Sequence, residues 1–129
     1  MNAAPLQRLI DIALQQEVPV PDLLALAEQA SCGTSELLDQ LSLHVARAFI
    51  DGALPFERGD FIMNSVFSTL CASDFPSNYL DMPDLTYEVY LAFDSGEYRR
   101  PEDAPDVDPV EKYTRPMLLR LLEEHPLPR

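Results

Sequence analysis

A chain of 129 residues, 47% hydrophobic and 24% charged, has the size and composition of one folded domain, which excludes two independent cores and disorder throughout. Its 22 acidic and 9 basic residues give a net charge of −13, a field that repels nucleic acid and anionic membrane and draws in basic proteins. With 4 glycines and 12 prolines, the composition suits short helices with stiff connections better than a sheet.

In chain order, Leu6, Leu9, Ile10, Ala13 and Leu14 form the stripe of a first amphipathic helix. Asp11 interrupts its apolar run, no basic region precedes it, and no stretch of about 18 apolar residues occurs anywhere. The expectation is therefore a cytoplasmic protein with no membrane contact. VPVP at 18–21 stops the helix, and Pro21 and Asp22 open a second one through Leu23, Leu24, Ala27 and Ala30. Cys32-Gly33-Thr34-Ser35 reads as a turn that ends in capping residues. The third helix carries Leu37, Leu38, Leu41, Val45, Ala48 and Phe49 and closes on a left-handed Gly52.

A fourth helix follows Leu54-Pro55, with Phe56, Met63, Val66, Phe67 and Leu70 on one face. Gly59 shares that face, either for a close backbone approach or because the helix starts late with Asp60 as its cap. Residues 71–83 read as a polar, proline-punctuated loop. From about Pro83 a fifth helix turns Leu85, Val89, Ala92 and Phe93 inward and ends at Ser95-Gly96, where a second left-handed cap is expected. Asp108-Pro109-Val110-Glu111 has the form of a capping box, and Thr114-Arg115-Pro116 is a second start signal for a last helix through Glu124. The closing residues from His125 are expected to fray. The predicted fold class is all-α: a single compact domain over 1–129, about six short helices with proline-rich connections. VARAFIDG at 45–52 echoes VYLAFDSG at 89–96, as amphipathic helices ending in glycine commonly do.

Recognised chemistry is missing from this pattern. Cys32 and Cys71 lie 39 positions apart with no CxxC, and both are expected to be small buried hydrophobes in a reducing compartment. His44 and His125 fall in no HExxH or Cys-His context, and no Gly-rich phosphate loop or GxSxG occurs. Asp103, Asp106, Asp108 and Glu111 have the wrong spacing for a calcium loop, and Pro105 and Pro109 remove its flexibility. The helix pair over 21–41 would present SELLDQ to phosphate, with two acids and no Arg or Lys. These absences lead to the expectation of no enzyme activity, no metal, no cofactor and no nucleic-acid partner.

What stands out is DSGEYRRPEDAPDVDPVEKY at 94–113, an acidic proline-rich connector within the domain. Residues 81–111 hold ten acids against Arg99 and Arg100, a local charge of −8. Prolines at 101, 105 and 109 limit its conformations, so ordering it against a partner costs less entropy. The candidate partner-binding residues are Asp94, Glu97, Tyr98, Glu102, Asp103, Asp106, Asp108, Glu111 and Tyr113, acids beside aromatic anchors for an Arg/Lys-rich protein. The competing reading is a solvated connector extended by its own repulsion.

AFIDG at 48–52, GDFIMN at 59–64, VYLAFDSGEY at 89–98 and YTRP from Tyr113 resemble the pattern of small acidic bacterial proteins encoded beside secreted toxins, the immunity proteins of polymorphic-toxin and type VI secretion systems. The resemblance implies a protein that binds a cognate toxin domain and blocks its active site or its substrate access. A cytosol-acting toxin of nuclease, NAD-directed or ADP-ribosylating type fits best, with a basic surface for the acidic face. The alternative is a non-enzymatic regulatory or scaffold domain that binds a basic protein.

Overall fold

The computed structural model describes residues 3–71 and 83–126, and every regular element among them is helical. In order these are α1 (Ala3–Ala13), α2 (Val20–Gln29), α3 (Thr34–Ile50), α4 (Phe56–Leu70), α5 (Asp84–Ser95), a π turn (Val110–Thr114) and α6 (Arg115–Glu124). The expected all-α class holds. Most of the predicted 71–83 loop and the last three residues lie outside the described residues.

α3 is the central element and packs against α1, α2, α4, α5 and α6. Leu37, Leu38, Leu41 and Val45 give it a fully buried stripe, which fits a helix surrounded on most sides. Across it, Phe49 meets Phe93 of α5 edge-on at 5.6 Å, and Phe56 at the start of α4 completes the cluster, 5.7 Å from Phe93. Phe49 and Phe93 are the Ala-Phe positions of the two echoed helix ends. The echo thus marks the pair of helices that share this aromatic contact.

Polar groups tie the layers at helix ends, where backbone groups lack partners. Ser65 and Thr69 of α4 donate to the carbonyls of Ala13 and Val18, at 2.9 and 2.6 Å. Pro83 precedes α5 and has no side chain to cap it. Asp39 of α3 supplies the cap instead, accepting from the backbone N–H and the hydroxyl of Thr86 at 3.0 and 2.8 Å.

Expectations about the chain reversals change at the turn before α3 and at Gly96, and hold at Gly52. At the end of α2 the left-handed residue is Ser31, with φ 57°, and not a glycine. Its N–H donates to Glu28 and the next N–H to Ala27, the double bond of a Schellman closure. Gly33 is the N-cap of α3, and the hydroxyls expected to cap, Thr34 and Ser35, lie inside the first turn. The same closure recurs at Gly52, with φ 82°, as expected. Gly96 differs: its φ is −89°, so no left-handed cap exists there. It is glycine because a Cβ would press on the Thr114 hydroxyl and stand 2.9 Å from the Phe56 ring. Because Ser31 is exposed and carries a Cβ in a left-handed turn, Ser31→Gly is expected to stabilise the protein by about 1 kcal/mol in urea unfolding.

The last helix does not restart at Thr114-Arg115-Pro116. The π turn runs straight into α6, with the Arg115 N–H bonded to the Val110 carbonyl. Pro116 explains the wider turn, since its ring would clash with a carbonyl four residues back in a regular helix. Thr114 is buried and donates to the Ala92 carbonyl at 2.7 Å, so it locks this turn to α5 rather than capping α6. Neither cysteine is buried as expected: Cys32 is half-buried, Cys71 is exposed, and both are free thiols. Burial, followed by Glu36, pushes the Cys32 thiol up and disfavours its reactive form.

Candidate functional site

The connector between α5 and the π turn is ordered by its own two arginines. Arg100 lies between Tyr98 and Tyr113, its guanidinium carbon 4.3 and 3.6 Å from the two ring centres. The same guanidinium donates to the Ser95 and Tyr98 carbonyls at 2.9 and 3.2 Å, closing the end of α5. Arg99 donates to the Pro105 carbonyl. Tyr98 and Tyr113, far apart in sequence, are therefore brought to the same cation.

Several of the nine candidate residues are engaged within the protein. Asp103 pairs with Lys112 and accepts the Tyr113 hydroxyl at 2.5 Å, and these bonds hold its carboxyl below the usual range. Asp108 accepts the Val110 N–H at 2.9 Å. Glu111 pairs forward with Arg115 at 2.9 Å, so Asp108-x-x-Glu111 forms only the first half of a capping box. Glu102 and Asp106 are exposed and take part in no hydrogen bond or ion pair among the described residues.

Asp94 and Glu97 belong to a different grouping, with Asp60 and Asn64 of α4, neither of them among the nine candidates. Asn64 donates to Glu97 at 3.2 Å. Asp60 sits inside α4, which starts at Phe56, so it is not an N-cap. Burial pushes its carboxyl up to about 8, helped by the hydrogen bond to Glu97 and by the charges of Glu97 and Asp94, with Asn64 opposing. One Asp60 oxygen is buried with no hydrogen-bond partner. A carboxyl pushed this high favours its protonated form near neutral pH, beside the charges of Glu97 and Asp94. Tyr90 faces the same carboxylates; burial first, then the charge of Asp94, pushes its hydroxyl up.

Gly59 carried the signal for this grouping. A Cβ there would lie 2.6 Å from the Phe93 ring, so the close-approach reading of this glycine is correct. Where α4 meets α5 without a side chain between them, the next residue and the one a turn later come beside the end of α5. The four resembling segments also converge here, contributing Phe49, Gly59, Phe93 and Thr114 to contacts around the end of α5.

Further along the same pair of helices, Tyr90 stacks on Phe67 at 4.0 Å and 6°, with the exposed Tyr87 at 6.5 Å from Tyr90. Among the described residues, no group of three or more His, Cys, Asp or Glu is arranged to hold a metal ion. No helix there is long and apolar enough to cross a membrane. Comparison with protein-family models, curated proteins and solved structures gives no match.

Proposed function

We propose that the protein is an immunity protein that binds and neutralises a cytosol-acting bacterial toxin with a basic surface, and that it does so without enzymatic activity. The observation that carries this reading is the acidic connector held in shape by the Arg100 clamp. Glu102 and Asp106 are displayed on it without hydrogen-bond or ion-pair partners among the described residues. A preformed acidic surface loses little entropy on binding, and a net charge of −13 speeds encounter with a cationic enzyme. The four sequence segments that resemble immunity proteins supply the packing that fixes one end of this surface.

The test is to identify the genes encoded beside this one and to co-express the protein with any toxin-like product among them. The absence of such a gene would count against the reading. Growth should be protected and the two proteins should purify together. Replacing Glu102 and Asp106 by Ser should slow association severalfold and flatten its salt dependence, with little effect on folding. An unchanged association rate would remove the connector from the contact. Capture of a basic protein without protection from any toxin would instead support the regulatory alternative.

A further inference from the structure

Carboxylates without partners are not confined to the connector. Two adjoining hollows of about 730 and 300 Å³ lie along the outward side of α5, one against α3 and one against α6, and Glu88 lines both. Glu36 and Asp84 stand on the first and Glu124 on the second. All four of these acids are exposed, and among the described residues none accepts a hydrogen bond or pairs with a cation. Asp39 is the exception on these walls, because it caps α5. Among the described residues, Arg120 and His125 are the only basic side chains lining the groove.

The lining is apolar as well as acidic. Leu43 and the buried Leu85 line one hollow; Leu91, Met117 and the buried Leu121 line the other. Asp84 and Glu88, one turn apart on α5, repel each other, as do like charges at this spacing in any helix. A cation laid between them would turn that repulsion into attraction. An apolar stripe flanked by positive charge is the complement of such a groove, which is how amphipathic helices are commonly received.

We propose that this groove seats a cationic amphipathic helix of a partner protein, with leucine-like side chains on its floor and Lys or Arg against Glu36, Asp84, Glu88 and Glu124. This rests on the reading above that the partner is a basic protein, and it gives that partner a second point of contact. A second copy of this chain is a poor occupant, since its charge is also −13.

The probe is a roughly 14-residue helical Lys/Leu peptide with one apolar stripe, labelled and titrated with the full chain. Binding in the micromolar range is expected, about tenfold weaker for a scrambled peptide of the same composition. Glu88→Lys with Glu124→Lys should weaken binding about tenfold or more. Glu17→Lys with Glu28→Lys, two exposed acids that line neither hollow, changes the net charge equally and should weaken it less than about twofold. A thermal melt checks that both variants fold. Equal losses in the two variants, or equal binding of the scrambled peptide, would show general charge attraction and overturn the proposal. So would a dimer in sedimentation that the groove substitutions dissociate. A toxin neighbour that fails to bind would refute the immunity reading and leave the peptide result standing.

Discussion

Gly59→Ala is expected to destabilise the protein by about 2 kcal/mol, although alanine is favoured over glycine inside a helix by about 1 kcal/mol. The sign is set by Phe93. The new Cβ would stand 2.6 and 2.7 Å from two atoms of its ring, closer than atoms can sit, so the ring must move. Phe93 is fully buried, with Phe49 on one side and Phe56 on another. Overpacking of this kind commonly costs about 1–3 kcal/mol, and here the ring has neighbours in the directions it would turn. Urea unfolding measures the loss. Gly59→Ala with Phe93→Leu should recover part of it relative to Phe93→Leu alone, because the smaller side chain makes room. A Gly59→Ala variant as stable as the parent would mean that α4 and α5 are farther apart than described.

The second large effect is a pH dependence centred on Asp60. Its folded value of about 8 lies far above the ordinary carboxyl value near 3.9, so between these pH values the folded protein holds a proton that the unfolded chain releases. The stability contributed by this proton is present in full below about pH 4, falls as pH rises toward 8 and levels off above. The groups facing Asp60 are Glu97, Asp94, Asn64 and the Tyr90 hydroxyl, and the two carboxylates all favour retention of the proton. Asp60→Asn keeps a donor for Glu97 that does not titrate. It should therefore be near parity with the parent at pH 5 and more stable at pH 8, by about 1–2 kcal/mol once screening at this half-open site is allowed for. Denaturation at pH 5, 6.5 and 8 gives the two slopes. Parallel slopes would remove Asp60 as the titrating group.

What the sequence revealed and what it concealed divide along physical lines. The helices were legible because their apolar spacing and the prolines before α2, α4 and α5 are local signals. Gly52 was legible for the same reason, as a glycine just past an apolar stripe. Ser31 was not, because the geometry of the turn overrode the preference for glycine there. Gly96 and Gly52 look alike in sequence, yet one answers to a backbone angle and the other to Thr114 and Phe56, which approach it only after folding. The site divides likewise. The acidity of 94–113 was plain, but the joining of Tyr98 and Tyr113 by Arg100 depends on the path of the loop. Asp60 and Asn64 could be reached only by knowing that α4 lies against the end of α5, 33 positions after Asn64 in the case of Glu97.

The stack of Tyr90 on Phe67 also makes the molecule its own reporter. The chain has five tyrosines and no tryptophan, so its near-ultraviolet signal comes from a handful of rings. Two of those tyrosines, Tyr87 and Tyr90, lie in fixed, nearly parallel geometry beside Phe67 on α4. Circular dichroism in that range senses fixed tertiary packing and disappears when packing loosens. Separation of α4 from α5 can therefore be followed by light alone, with no added label, while the far-ultraviolet signal follows the helices themselves.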